Sequence, residues 1–471
     1  MRIPSSPVFT FRLFRRWLYA VTAVALGACG MATPGPSPGT TTDGATGVSV
    51  ATGPTAAEAP ASVSGDASMQ RVRATRGLAI SPVPLSLQGK SGRERMLIGL
   101  GSYIVNAASD CAGCHSTPAG FLAGGNPFAL GGDQVVRSRN LTPDPTTGLQ
   151  LSRDQFFETV RTGRDFHAGQ TRMLVVMPWT TLRWASDVDL DAIYAYLRAV
   201  PPVKNAVLPD VKDRLPLPAS VPFDPSTYTD GAVVRRLKGA DQSFPSHRGY
   251  SISPVALDDS RDGAHDDDGR GRSVGVGSYI ASALTHCNDC HTHPDRTADG
   301  SKVNVASFLT GGTVFTTPPP LQPITGYVRV TSANLEGTSH GFFLEAGDSY
   351  RRFRDVIRTG TLVDESPPRP LAFPMNLVAP NLAKLLESDL RAIYDFAKAV
   401  PATTGASDHA HQPPARWCAT SAGCASGETC TGGECTGGAC GGDVDCGTCQ
   451  TCGAGTCQAP DASSICVLTS Q

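Results

Sequence analysis

Hydrophobic positions recur at helical spacing in two long stretches of the chain, and each stretch places its apolar side chains on one face. The first face runs toward a cysteine pair and consists of Leu97, Leu100, Ile104 and Ala108. The second face consists of Leu190, Ile193, Leu197 and Val200. It follows Ser186-Asp187, which favours a helix start, and it ends before Pro201-Pro202, which cannot continue a helix. A third, shorter helix is predicted from Ser152 to Gly163.

This pattern occurs twice along the chain. Four segments recur in the same order, each in two copies. They are Gly-Ser-Tyr-Ile at 101–104 and 277–280, Phe-Leu-x-Gly-Gly at 121–125 and 308–312, Arg-Thr-Gly at 161–163 and 358–360, and Asp-Leu-x-Ala-Ile-Tyr at 189–194 and 389–394. Repeats in a fixed order indicate repeated structure. We therefore predict two homologous helical domains, at residues 92–203 and 273–402.

Each predicted first helix leads into a Cys-x-x-Cys-His motif. The residues are Cys111, Cys114 and His115 in the first copy and Cys287, Cys290 and His291 in the second. Two cysteines three residues apart lie on one side of a helical turn, where both thiols reach the vinyl groups along one edge of a porphyrin. The adjacent histidine then lies below the ring and supplies a nitrogen to the iron. A redox dithiol, a disulfide or half a zinc site would explain one isolated motif, but two copies in repeated surroundings favour two covalently bound haem c groups.

With these motifs in place, each copy resembles a class I c-type cytochrome domain, and the pair is similar to the cytochrome subunits of bacterial membrane alcohol dehydrogenases. The resemblance covers residues 92–402 and implies a mainly α fold with two tandem cytochrome c-like domains. It also implies a second axial iron ligand, a methionine beside a proline on the loop before the last helix. Met177 and Met375 each adjoin a proline at that place. Met173 and His167 are the alternatives for the first haem.

Ligation by histidine and methionine determines the expected chemistry. The thioether raises the reduction potential, and a six-coordinate iron has no free position for a substrate. The sequence therefore predicts an electron carrier whose partners are redox proteins, such as a dehydrogenase or a respiratory complex. The alternative is a dihaem enzyme, peroxidase-like or thiosulfate-oxidising, in which one haem keeps an open position. A net charge of −2 gives no field that would favour nucleic acid as a partner.

The amino terminus is typical of an exported protein. Basic residues precede an apolar run from Trp17 to Ala28 that is too short to span a bilayer, which predicts a signal peptide at residues 1–28. The sequence Leu-Gly-Ala-Cys that ends at Cys29 resembles a bacterial lipobox. It implies acylation of Cys29 and a lipid anchor at the outer membrane or the periplasmic membrane face; an ordinary secretory peptide with an incidental Cys29 is the alternative. Residues 29–91, rich in small and polar side chains, are predicted to be a disordered tether.

Composition also divides the rest of the chain. Residues 204–272 and 403–416 are rich in polar residues and proline, and both are predicted to be linkers. Residues 417–471 carry ten of the 15 cysteines. The Cys-x-x-Cys pairs in this tail lack a following histidine, so we predict a small disulfide-rich module and not a third haem site. A module of this kind requires an oxidising compartment.

Overall fold

The structure is a computed structural model of the chain, and it describes residues 64–129, 134–166, 174–211, 245–257, 270–293, 303–336, 350–362, 368–401, 414–440, 446–448 and 450–458. Helices are the predominant regular structure among these residues, and the strands form short antiparallel sheets. Among them, no helix is long and apolar enough to cross a membrane. The predicted signal peptide and Cys29 lie outside the described residues.

The first helical unit begins earlier than predicted. Its elements are α1 Ser64–Ile80, α2 Gly92–Tyr103, α3 Cys111–His115, β1 Pro127–Ala129, β2 Val135–Arg137, α4 Arg153–Thr162, α5 Trp179–Leu182 and α6 Asp187–Leu197. Helix α2 continues into a π-helical turn at Ile104–Ala108. As predicted, Ser152 and Ser186 cap the starts of α4 and α6 with their side chains, and Gly163 ends α4 in a left-handed conformation.

The second helical unit repeats this order. Its elements are α7 Pro245–Ile252, α8 Arg270–Tyr279, α9 Cys287–His291, β3 Val314–Thr316, α10 Gln322–Thr325, β4 Tyr327–Thr331, α11 Tyr350–Thr359, β5 Thr361–Leu362, β6 Arg369–Pro370, α12 Met375–Leu382 and α13 Glu387–Ala399. Helix α8 also continues into a π-helical turn, at Ile280–Leu284. The strand pairs β1–β2 and β3–β4 occupy the same place in the two units, between the Cys-x-x-Cys-His helix and the next long helix.

The repeated Gly-Ser-Tyr-Ile segments lie where α2 crosses α6 in the first unit and where α8 crosses α13 in the second. A Cβ atom on Gly101 would lie 1.8 Å from the carbonyl oxygen of Ala192, and one on Gly277 would lie 1.8 Å from that of Ala392. Only glycine lets two backbones approach so closely. Helices α2 and α6 therefore pack in the same way as α8 and α13. Each Cys-x-x-Cys-His helix comes next along the chain after one of these crossings.

The largest hydrophobic cluster extends through both units. It includes Trp184, Leu190 and Tyr196 from the first unit and Tyr279 and Leu390 from the second, all of them almost fully buried. The contact between the units is therefore part of the protein's core.

The prediction of a disordered tether at residues 29–91 is wrong for its last part. Helix α1 lies in this stretch and packs against α2. A Cβ atom on Gly77 would lie 1.8 Å from the carbonyl oxygen of Gly99, and Ala74 is buried at the same crossing. The small residues that resemble a tether in composition are thus the ones that let two helices touch. Residues 29–63 lie outside the described residues.

The linker predicted at residues 204–272 also contains packed structure. Helix α7 lies in it and packs on α8, with Gly249 close to the backbone of Gly275. The sequence Arg-Gly-x-x-Ile-Ser-Pro-Val occurs at 76–83, across the end of α1, and at 248–255, across the end of α7. This segment is a fifth repeat. It was not predicted from the sequence, because its composition resembles that of a loop.

The cysteine-rich module is a disulfide framework, as predicted for eight of its cysteines. The bonds join Cys418 to Cys430, Cys424 to Cys435, Cys440 to Cys452 and Cys446 to Cys457. Its strands are β7 Ala415–Arg416, β8 Thr429–Thr431, β9 Glu434–Thr436, β10 Thr451–Gly453 and β11 Thr456–Gln458. Strand β7 lies in the predicted linker 403–416, but it pairs with β4 of the second unit. The module is therefore docked on that unit; Cys449 and Cys466 lie outside the described residues.

Candidate haem-binding sites

The two Cys-x-x-Cys-His helices start in the same way. The π-helical turn that ends α2 is followed by Asp110, whose φ of 44° is left-handed, and α3 begins directly after it. In the second unit, His286 has a φ of 58° at the same place before α9. The left-handed residue turns the chain so that a one-turn helix can start, and Asp110 also accepts a hydrogen bond from the backbone N–H of Gly113 at 3.1 Å. The backbone thus has the same conformation at the start of both motif helices.

The histidine of each motif is oriented by a backbone carbonyl group. The Nδ1 atom of His115 lies 2.8 Å from the carbonyl oxygen of Arg139, and Nδ1 of His291 lies 2.8 Å from that of Ala333. A carbonyl oxygen can only accept, so Nδ1 carries the proton and the lone pair of Nε2 remains for a metal. Burial lowers the pKa of both histidines, which favours the neutral imidazole that ligates iron.

The repeated Phe-Leu-x-Gly-Gly loops bring those carbonyl groups into place. Gly124 has a φ of 70°, and a Cβ atom on it would lie 2.4 Å from the carbonyl carbon of Arg139. Gly311 has a φ of 76°, and its Cβ would lie 2.6 Å from that of Ala333. The N–H of each glycine also donates to the carbonyl oxygen of the motif's histidine, both at 2.7 Å. The sequence showed this repeat but not its role, which is to close the loop against the histidine's acceptor.

The four motif cysteines are chemically distinct from those of the tail. Cys111, Cys114, Cys287 and Cys290 form no disulfide bond, whereas the described cysteines of the module are disulfide-bonded. Burial raises the pKa of Cys111 to about 12 and also raises the pKa of Cys287. A redox dithiol requires a lowered pKa, because the thiolate is its nucleophile. Within the described parts of the chain, the side-chain groups spaced for a metal ion are disulfide cysteines of the module, so a preformed zinc site at the motifs is not supported.

The predicted methionine ligands lie at similar places in the two units. Met177 stands two residues before α5, and Met375 is the first residue of α12; both are partly buried against the main hydrophobic cluster. The arginine of each Arg-Thr-Gly repeat donates a hydrogen bond to the backbone just after the helix that begins at or shortly after the methionine. Arg161 donates to the carbonyl oxygen of Arg183, and Arg358 donates to that of Leu385 at 2.8 Å. The role of Met177 and Met375 as iron ligands stays a prediction. The alternatives Met173 and His167 lie outside the described residues.

The cysteines outside disulfide bonds, the carbonyl-bound histidines and the buried surroundings fit a c-type haem at each motif. No protein-family model matches the chain. It is 25% identical over 331 residues to the fructose dehydrogenase cytochrome subunit of Gluconobacter japonicus, which covers 68% of this chain and 57% of the relative. It is 29% identical over 266 residues to the gluconate 2-dehydrogenase cytochrome c subunit of Pantoea cypripedii, covering 55% and 50%.

A third relative is the cytochrome c subunit of the quinone-dependent alcohol dehydrogenase of Komagataeibacter europaeus, 32% identical over 159 residues and 31% of each chain. The chain thus spans about half the length, or less, of the curated relatives it matches. These relatives are cytochrome c subunits of bacterial dehydrogenases.

Proposed function

We propose that this protein is a dihaem electron carrier in which each helical unit is a cytochrome c domain. The observation that carries the proposal is the pair of histidines, each held through Nδ1 by a backbone carbonyl group at 2.8 Å and each beside two cysteines that form no disulfide bond. This arrangement occurs once in each unit, at equivalent positions. Because the two sites have the same arrangement of histidine, carbonyl group and cysteines, we expect them to bind two haem groups in the same way.

At each site the cysteines would attach the haem, and the histidine and methionine would ligate its iron. Cys111 with Cys114, and Cys287 with Cys290, would hold the haem through thioether bonds to its two vinyl groups. His115 and His291 offer Nε2 to the iron. Met177 and Met375 would supply the second protein ligand to each iron. When bound, the haem supplies reversible one-electron transfer, and the protein supplies position, burial and a closed coordination sphere.

The partners and the location follow from the relatives and from the amino terminus. Those relatives are cytochrome subunits of fructose, gluconate and alcohol dehydrogenases. We infer that this chain accepts electrons from a dehydrogenase and passes them to a respiratory acceptor. The signal peptide and Cys29 support export and a lipid anchor at the outer membrane or the periplasmic membrane face, and nucleic acid is not among the inferred partners.

A redox titration of the purified protein, followed by optical spectroscopy, tests the proposal. We expect two c-type haems, low-spin in both oxidation states, and loss of one attached haem in each of the variants Cys111→Ala and Cys287→Ala. Met375→Ala should lower the potential of one haem only, because the thioether favours Fe(II). A high-spin ferric haem in the resting protein would favour the dihaem enzyme instead. Retention of both attached haems in the two cysteine variants would overturn the assignment.

A further inference from the structure

The two helical units contact each other through residues of their repeated segments, in exchanged roles. The Tyr103 hydroxyl of the first unit donates to Asp389 of the second at 2.6 Å, and the backbone N–H of Leu386 donates to that hydroxyl at 2.8 Å. In the opposite direction, the Tyr279 hydroxyl donates to Asp189 of the first unit. The backbone N–H of Ser186 donates to the Tyr279 hydroxyl at 2.7 Å. Each tyrosine comes from a Gly-Ser-Tyr-Ile repeat and each aspartate from an Asp-Leu-x-Ala-Ile-Tyr repeat.

A second pair of contacts follows the same rule. Arg76 of α1 donates to the carbonyl oxygen of Lys384 at 3.1 Å. Its counterpart Arg248 of α7 donates to the carbonyl oxygens of Trp184 and Ala185. When the same two surfaces meet with exchanged roles, the interface has approximate two-fold symmetry, like that of a homodimer. The two units are thus related to each other as two copies in a symmetric dimer would be.

One ion pair breaks this symmetry and adds to the contact. Arg73 of α1 binds Asp389 with two parallel hydrogen bonds, of 2.6 and 2.8 Å, and the side chains are 8% and 1% exposed. A paired arginine and carboxylate in this geometry are highly directional. The residue aligned with Arg73 in α7 is Pro245. Arg73, the two tyrosines and the two aspartates all line one small cavity between the units.

The same interface brings the two candidate haem sites together. The side chain of Asn381, in the helix that Met375 begins, donates to Asp110, which precedes the motif of the first unit. Thr181, in the short helix after Met177, donates to Asp289 within the motif of the second unit at 3.0 Å. The segment that follows each methionine therefore contacts the Cys-x-x-Cys-His helix of the other unit.

We infer that the interface of Arg73, Tyr103, Tyr279, Asp189 and Asp389, here called the clasp, holds the two haem sites at a fixed separation for direct electron exchange within the chain. The inference rests on the proposed function. The five residues are positioning residues, because they contact one another and the helices that carry the sites. Fixed orientation is what the protein contributes to electron transfer. Their hydroxyl and carboxyl groups are buried, so each lost hydrogen bond leaves a buried partner unsatisfied and favours separation of the units.

The test uses the haem-loaded protein and the double variant Tyr103→Phe/Tyr279→Phe, which keeps the buried rings and removes both hydroxyl groups. The matched control is Tyr194→Phe/Tyr350→Phe, because those hydroxyl groups bond within their own units, to the carbonyl oxygens of Leu151 and Glu387, each at 3.1 Å. After rapid partial reduction, the rate of electron equilibration between the haems is followed optically. We expect it to fall about tenfold in the clasp variant, since loss of buried hydrogen bonds populates separated units, and to stay unchanged in the control.

Two further readouts keep the outcomes distinct. Spin–spin interaction between the two ferric haems should weaken in the clasp variant while each haem's optical spectrum is retained. Small-angle X-ray scattering should show a larger radius of gyration, and this measurement does not depend on haem. If the clasp variant fails to fold, Asp389→Asn serves as the second variant. Unchanged exchange rate, spin interaction and radius in the clasp variant would refute the clasp. A wild-type protein without two low-spin haems would refute the proposed function, and scattering would still decide on the clasp.

Discussion

In both units a backbone carbonyl group at the equivalent position accepts from Nδ1 of the motif histidine. The strand that leads to this carbonyl group is supported differently in the two units. In the first unit the strand before Arg139 is covered by the unit's own chain: Val135 pairs with Val211, and Asp210 accepts hydrogen bonds from the backbone of Arg137 and the side chain of Arg139. In the second unit the corresponding strand β4 is covered by β7 of the disulfide-rich module. One histidine thus depends on its own unit, and the other depends on a separate module.

The contact with the module contains a buried ion pair. Arg329 of β4 pairs with Glu434 of β9, and its Nε atom also donates to the carbonyl oxygen of Thr448 at 3.2 Å. Both charged side chains are about nine-tenths buried, with 10% and 8% of their surface exposed. Arg329 lies four residues before Ala333, whose carbonyl group accepts from His291. The tail, which the sequence left without a role, therefore helps to hold the second site.

Removing the acid of this pair should have the largest effect. Glu434→Ala leaves Arg329 buried without a counter-charge, which costs about 3–5 kcal/mol. We expect that loss in the opening free energy of the β4 amides, measured by native-state hydrogen exchange, and no change at β2 of the first unit. The control Glu428→Ala removes the more exposed pair with Arg416 and should cost at most about 1 kcal/mol. Equal losses from the two variants would show that burial of the pair does not matter.

The glycine loops should respond alike in the two units, whatever covers the strand. Gly124→Ala and Gly311→Ala each add a Cβ atom that would meet backbone atoms 2.4 Å away, at a positive φ. We expect each to cost about 2–4 kcal/mol and to disturb the optical spectrum of its own haem only. Gly326→Ala is the control, since its φ of 79° is similar but its Cβ would meet nothing within 4 Å. It should cost only the conformational penalty of about 1–2 kcal/mol.

The first unit can be weakened separately at Asp210. This carboxylate is 5% exposed and accepts from the Arg137 N–H at 2.7 Å and from Arg139 at 2.9 Å. Asp210→Ala leaves the Arg137 N–H unsatisfied and leaves Arg139 only its longer contact with Asp165, at 3.4 Å. It should cost about 1–3 kcal/mol in the opening of β2. Hydrogen exchange at β4 should stay as in the wild type, and exposed Asp154, changed to alanine, should affect neither strand. A loss at β4 comparable to that at β2 would contradict independent support of the two sites.

Local patterns in the sequence were enough to predict α2, α4, α6 and the motif helices. Periodic apolar positions gave α2 and α6, and serine caps gave the starts of α4 and α6. The cysteine spacing separated the haem motifs from the disulfides. The spacing Cys-x5-Cys-x5-Cys-x4-Cys, which begins at Cys418 and again at Cys440, would also have revealed that the module is itself a repeat. These features need only residues that are close together along the chain.

The contact between the units could not be predicted in this way. Tyr103 and Asp389 are 286 residues apart, and no local pattern connects them. A polar signal was nevertheless present: Asp189 and Asp389 recur among the apolar residues of two otherwise buried helix faces, and a buried carboxylate requires a partner. Helix α1 was missed for a related reason, because its glycine and alanine residues acquire meaning only when a second helix lies against them.

The two aspartates of the clasp give the smallest predicted effect, which depends on pH. Asp389 is paired with Arg73, whereas Asp189 accepts from Tyr279 and forms no ion pair within the described residues. Burial raises the pKa of Asp189 above its ordinary value, despite Tyr279, Arg73, Ser186 and Arg248 around it. A carboxyl group with a raised pKa in the folded state contributes stability at low pH, and this contribution is lost as the pH rises through that pKa.

Asp189→Asn removes this titration and keeps an oxygen that can accept from the tyrosine. The thermal midpoint of the variant should therefore rise relative to that of the wild type as the pH increases from about 4 to about 8. The neighbouring arginines stay charged and Tyr279 stays protonated across this range, because burial raises the pKa of that tyrosine further. In Asp154→Asn, which changes an exposed carboxylate, the two curves should run parallel. Parallel curves in Asp189→Asn as well would mean that the pKa of this carboxyl group is the same in the folded and the unfolded protein, and would contradict the prediction.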